Sequence, residues 1–196
     1  MDEGHHFVFG GRRGSFGSGG AWATGGHRPI SLQVRKALLS LGHRRIADVG
    51  RTDPLLPDLD RQAAWDEVSR GLEAAYFSRP VGGLTPQLAR RLIAEGFTAV
   101  VLEEAESGEA HMDVCRAAGI SIPGELSVVV LGNNPGTAIG DLVPSGFRIP
   151  RQEMGEAAVR LLLERLEDPD LVRMAVVLCA FEVGQTMGVP RKDYRP

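Results

Sequence analysis

Cysteine is almost missing from this chain: Cys115 and Cys179 are the only two in 196 residues. Neither belongs to a CxxC pair, neither has a histidine cluster beside it, and both stand among apolar residues. They read as small core residues of a reduced compartment, because a structural zinc takes four ligands at short local spacings. No metal and no cofactor are expected. Long apolar runs are also lacking, and none approaches the roughly 20 residues that span a bilayer. Met1 to Phe9 carries no basic region followed by an apolar stretch, so no secretory signal is read there. The expected setting is cytoplasmic, with no membrane partner. Excess positive charge is missing as well: the net charge is −3 and no Lys/Arg run exceeds a pair. This stretch therefore has no large electrostatic footprint for nucleic acid, and a DNA contact would have to lie in residues outside it.

Catalytic patterns are equally scarce. Ser127 and Ser145 lack a GxSxG context, and the histidines cluster near the N-terminus except His43 and His111. His43 follows a helix stop and precedes a strand, where a histidine caps and packs more often than it catalyses. The glycines that follow Phe7-Val8-Phe9 invite a phosphate-loop reading, but neither GxxxxGK[ST] nor an ordered GxGxxG occurs, and no helix-forming segment follows. An enzyme is not expected.

What the chain does have is an ordinary globular composition, 43% hydrophobic and 24% charged. Residues 1–29 stand apart: eight glycines between Gly10 and Gly26 leave few side chains to offset the backbone entropy of ordering, so a disordered leader is expected. From Ser31 onward, helical and strand patterns alternate. Val34, Ala37, Leu38 and Leu41 recur at i, i+3, i+4, i+7, and Gly42 stands where a helix-ending glycine belongs. A strand over 44–49 follows, then a Pro-rich loop and a helix over 60–74. Thr85-Pro86 is an N-cap with proline at the first helical position, and Gly96 ends that helix. Strand 97–102, helix 108–118 and strand 126–131 repeat the unit. A Gly/Pro-rich loop at 132–146, the longest helix at 151–166, and an apolar strand at 174–181 close the chain. This alternation predicts an α/β fold with parallel sheets, which bind ligands at the carboxyl ends of their strands. The segments after Val49, Leu102 and Leu131 are therefore the places for chemistry. Glu103-Glu104 directly follows a buried strand, either as a solvated acidic turn or as ligand hydrogen-bond acceptors.

Four segments in order resemble the LacI/GalR family of transcription regulators. Leu41-Gly42-His43-Arg44-Arg45-Ile46-Ala47 is similar to its helix-to-strand signature LGHRRIA. Arg61-Gln62-Ala63-Ala64-Trp65 resembles its R-x-x-G-aromatic motif, with Ala64 in place of the glycine. Residues Gly119 to Val129 look like its G-x-x-[IV]-P-x-[DE]-[IVL]-S-[IV]-[IV], and Pro150 to Ala158 like its P-x-x-x-M-G-x-x-A.

This resemblance spans about 31–190 and implies a periplasmic-binding-protein-like sensor of two α/β lobes. A sugar-like or other small-molecule effector would sit between them, and a dimer would pass the signal to operator DNA. By resemblance, 31–50 and 146–168 fall in the N-terminal lobe, and 51–145 with 170–190 in the C-terminal lobe. The family's DNA-binding head and first sensor strands are expected upstream, because residues 1–29 match nothing in them. Arg61 matches the position whose guanidinium holds effector hydroxyls or carboxylate, as suits a rigid fork of donors. The family's Asn-Asp after its third strand is Glu103-Glu104 here, and its Gly-aromatic-Asp-Asp loop is Gly132-Asn133-Asn134 after Leu131. The candidate effector residues are thus Arg61, Glu103, Glu104, Gly132, Asn133 and Asn134. The rival readings are a transporter's solute-binding protein, which shares the fold, and an α/β enzyme.

Overall fold

The computed structural model describes residues 8–10, 21–51, 56–68, 73–79, 84–102, 108–131 and 142–192. Two sheets organise them. The smaller has the parallel order β1-β2-β8, made of β1 (Val8–Gly10), β2 (Ala21–Gly25) and β8 (Arg173–Val177). The larger has six strands in the order β4-β3-β5-β6-β7-β9. They are β3 (Arg45–Arg51), β4 (Glu73–Arg79), β5 (Ala99–Leu102), β6 (Ser127–Val130), β7 (Ser145–Arg148) and β9 (Ala180–Glu182). All pair in parallel except β9, which runs antiparallel to β7.

Side-chain alternation divides the larger unit's core into two layers, since successive strand residues point to opposite faces. Ala47, Val49, Val100, Leu102, Val128 and Val130 face α3 (Pro86–Ala94) and α4 (Gly108–Ala117), meeting Leu88, Leu92, Met112 and Cys115. Ile46, Ala99, Val101 and Val129 face the other way, toward α1 (His27–Ser40) and α2 (Leu56–Val68), meeting Ile30, Val34, Leu38 and Trp65. Both faces being covered explains why β5 and β6 are buried at every position. The smaller sheet is lined by α5 (Arg151–Glu167), whose Ala157, Ala158 and Leu161 pack on Ala21, Ala23 and Ala175.

The three helix stops use one device. Gly42, Gly96 and Gly119 adopt φ of 102°, 86° and 69°, the left-handed region that a Cβ disfavours. In each, the next residue's N–H returns to a carbonyl five residues back: His43 to Leu38, Phe97 to Leu92, Ile120 to Cys115. Thr85 caps α3 as its sequence predicts, its Oγ1 accepting from the Leu88 N–H at 3.2 Å.

Several expectations are corrected. Two strands, β1 and β2, lie within the stretch expected to be a disordered leader. Parallel pairing with β8 and burial of Ala21 and Ala23 beneath α5 supply the tertiary contacts that local glycine content conceals. Residues 31–50 contribute α1 and β3 to the six-stranded unit rather than to the smaller one. The run 174–181 is two strands, one in each sheet, so β8 leaves the unit to which 170–190 was expected to belong. The helix expected over 60–74 ends at Val68, and β4 occupies 73–79. The chain thus passes between sheets around Gly25–Gly26, between β7 and α5, and between β8 and β9. Two of these passages touch: the Gly26 N–H donates to the Val177 carbonyl at 3.1 Å, and a Cβ at Gly25 would stand 3.1 Å from Cys179 Sγ.

Candidate effector site

The parallel strands β3, β5 and β6 bring their carboxyl ends to one edge of the six-stranded sheet, where an open α/β sheet offers its crevice. The loops that leave this edge include Glu103, Glu104, Gly132, Asn133 and Asn134, all of which lie outside the described residues. Of the six sequence candidates, Arg61 alone is described. It stands in the second turn of α2, the helix that follows β3, on the inward face it shares with Ala64 and Trp65. Arg61 is 8% exposed, a buried rather than a solvated arginine.

Beside it lies a polar group that sequence reading missed. Arg35 on α1 is buried, with its guanidinium 4.5 Å from the Trp65 ring centroid. Asp48, at the middle of β3, is also buried. Burial pushes the Arg35 guanidinium below its ordinary value, and the Asp48 carboxylate opposes that shift. Arginine stays charged even so. A charged residue inside the apolar strand pattern Ile46-Ala47-Asp48-Val49 was a sequence signal for this layer, because a buried strand carries an acid only where the interior can answer it. Arg35 gave a weaker signal, standing next to Val34 on the stripe that also carries Leu38.

His43 belongs to the opposite end of the same sheet. It is fully buried, with Nδ1 2.8 Å from Thr98 Oγ1 and Nε2 2.8 Å from the Gly188 carbonyl oxygen. A carbonyl only accepts, so Nε2 carries the proton and Nδ1 accepts from the Thr98 hydroxyl. Burial lowers the imidazole's pKa from 6.5, partly offset by the Gly188 hydrogen bond. The same end is tied by Ser127 Oγ, which accepts from the Gly188 N–H at 3.1 Å. Arg191 adds hydrogen bonds to the carbonyls of Phe97, Ile93 and Glu125. The Leu-Gly-His-Arg-Arg segment is therefore architectural, seating the chain after β9 beneath the sheet. His43 packs rather than catalyses.

Among the described residues, no three His, Cys, Asp or Glu side chains gather to hold a metal ion, and no helix is long and apolar enough to cross a membrane. The free thiols Cys115 and Cys179 are buried, and desolvation raises both, Cys115 to about 11.

Two sheets that exchange segments, with a buried arginine on the helix that follows β3, frame the candidate site. The chain matches the family described as the periplasmic binding protein-like domain over residues 36–187, and it belongs to that family. Among solved structures it resembles a LacI family transcriptional regulator from Enterococcus faecium with bound ribose, at TM-score 0.75 and 20% identity, covering 95% of this chain and 71% of that one. A LacI transcriptional regulator from a Rhodococcus species gives TM-score 0.75 at 21% identity, over 94% and 70% of the two chains. A periplasmic binding protein/LacI transcriptional regulator from Alkaliphilus metalliredigens, complexed with D-xylulofuranose, gives 0.74 at 13%, over 92% and 70%. Identities this low establish the shared fold. No curated protein matches the chain.

Proposed function

We propose that this chain is the small-molecule-sensing domain of a LacI-type transcription regulator, with a sugar or sugar-like metabolite as its effector. The observation that carries this reading is Arg61: a buried guanidinium on the inward face of α2, near the ligand-binding edge, in a family fold. Two of the structural relatives hold ribose and D-xylulofuranose. Arg61 would grip effector hydroxyls or a carboxylate through its planar fork of donors. The loops carrying Glu103, Glu104, Gly132, Asn133 and Asn134 would complete the larger unit's share of the site. Effector binding would shift the balance between two arrangements of the lobes, and a cytoplasmic homodimer would pass that shift to operator DNA through a separate head. Such a shift is limited by the effector's differential affinity for the two states, typically about 1–3 kcal/mol. The domain would bind and signal without catalysing a reaction.

A solute-binding role in transport uses the same fold, and the name of the Alkaliphilus relative spans both roles. Titration calorimetry with D-ribose, D-xylulose and cellobiose tests the sugar class that both roles share. Saturable binding of at least one, with an unchanged sugar recovered afterwards, is the expected result. Turnover of the sugar would favour an enzyme instead. A gel shift then separates the two binding roles: a longer chain bearing a DNA-binding head should bind operator DNA in an effector-dependent way, and residues 1–196 alone only weakly and without sequence preference.

A further inference from the structure

Arg35 presents an unsolved cost. It is 1% exposed, and among the described residues Nε, Nη1 and Nη2 have no hydrogen-bond partner. A guanidinium carries five N–H donors, and burying them unmet opposes folding. An apolar side chain at this position would simply extend the layer formed by Ile30, Val34 and Leu38. The buried Asp48 carboxylate on β3 answers its charge, yet apolar side chains at both positions would fold as well, since a buried ion pair adds little net stability.

Arg35 also meets a ring. Its guanidinium lies 4.5 Å from the centroid of Trp65, a geometry in which the negative ring face attracts the cation, most strongly for tryptophan. Trp65 follows Arg61 by four residues on α2, so the two side chains stand one turn apart on one face. Arg35 itself rides on α1, the helix the chain enters directly after crossing from the smaller sheet at Gly25–Gly26. The contact thus joins the helix that begins at the crossing to the helix face that presents Arg61.

We infer that Arg35 is a positioning residue: by stacking on Trp65 it fixes the face of α2 that carries Arg61. Its biological meaning rests on the effector-binding reading of Arg61; most of its test does not.

Trp22 and Trp65 are the only tryptophans, so Trp22→Phe leaves Trp65 as the sole indole reporter. In that background of residues 1–196, Arg35→Met keeps most of the stem and removes charge and donors, while Arg35→Lys keeps the charge without the planar fork. Arg35→Met is combined with Asp48→Leu, since removing one charge alone would strand the other, and the double variant is expected to melt no lower than its parent, because replacing a buried ion pair by apolar groups is neutral or stabilising. At the same time the near-UV circular dichroism and the emission maximum of Trp65 should change, with Arg35→Lys restoring part of the change. A fall in the double variant's melting temperature like that of an ordinary core truncation, or Trp65 signals unchanged in Arg35→Met, overturns the inference.

Calorimetry with D-ribose supplies a separate arm. If the parent binds ribose, Arg35→Met should weaken binding about tenfold with Arg61 intact, and unchanged binding overturns the link to Arg61. A parent that binds no ribose counts against ribose as the effector, and the melting and Trp65 results then decide whether Arg35 orders this face.

Discussion

Replacing His43 by alanine should loosen the seat of the chain after β9 without touching the strand ends. The substitution removes two hydrogen bonds of 2.8 Å, one from Nε2 to the Gly188 carbonyl and one accepted by Nδ1 from Thr98. Each is worth about 1 kcal/mol net. The Gly188 carbonyl keeps a longer 3.3 Å contact from Ser127 Oγ, and the Thr98 hydroxyl can turn to the Arg45 carbonyl at 3.3 Å, so neither is wholly orphaned. The lost ring volume adds about 1 kcal/mol more, at the low end of large-to-small core changes. The sum is about 3 kcal/mol, or a fall in melting temperature of about 6–12 °C for a chain of this size. Urea denaturation followed by circular dichroism reads the stability, and hydrogen exchange at the Gly188 amide, held by Ser127 Oγ, reads the local loosening. A loss below about 1 kcal/mol with Gly188 still protected would refute the bridging role.

The same residue sets a pH dependence. Because burial lowers its folded-state pKa below 6.5, the unfolded chain takes up the proton first as pH falls. His43's contribution is present above about pH 6.5 and is lost as pH drops toward the folded value, at a slope of at most about 1.4 kcal/mol per pH unit. A His43→Gln variant lacks this component, so its stability gap from the parent should narrow between pH 7 and pH 5.

Other sites give independent expectations. Thr85→Ala removes the side-chain cap of α3 and should cost about 1 kcal/mol by denaturation, whereas Thr85→Ser should cost much less. Gly184→Ala should be severe, because the new Cβ would stand 2.2 Å from the Val143 carbonyl oxygen; soluble protein with parental melting would show that this approach can relax. Leu163 stands exposed on α5 with Val159 and Leu166, so Leu163→Glu should change stability by less than about 0.5 kcal/mol while reducing self-association in sedimentation at high concentration.

Much of the fold was legible because its punctuation is local. Gly42, Gly96 and Gly119 end helices through a backbone conformation that glycine supplies, and Thr85-Pro86 starts one through a cap; such signals need no knowledge of the rest of the chain. The strands with both faces covered, β5 and β6, showed as continuous apolar runs for the same reason. Other features depended on partners distant in sequence. Ala21 to Gly25 has little strand character alone and becomes β2 by pairing with β8, some 150 residues on. The run from Met174 to Phe181 is apolar throughout, so periodicity could not reveal that the chain changes sheets near Cys179. β4, Glu-Ala-Ala-Tyr-Phe-Ser-Arg, continued a helical pattern and was absorbed into the helix before it. At the candidate site, Arg61 was found through its motif. Arg35 was not, since only the fold brings it onto Trp65.

The central claim is that Arg61 contacts a small-molecule effector, and calorimetry on Arg61→Ala and Arg61→Lys tests it most directly. Taking whichever of D-ribose, D-xylulose or cellobiose the parent binds, Arg61→Ala should remove a charge-assisted contact of about 1.5–3 kcal/mol. That is a loss of roughly ten- to a hundredfold in affinity. Arg61→Lys should recover little, because a point charge cannot reproduce a bidentate fork. Both variants should stay folded by circular dichroism. Folded variants that bind the sugar as tightly as the parent would contradict the account, leaving Arg61 as a packing residue of α2.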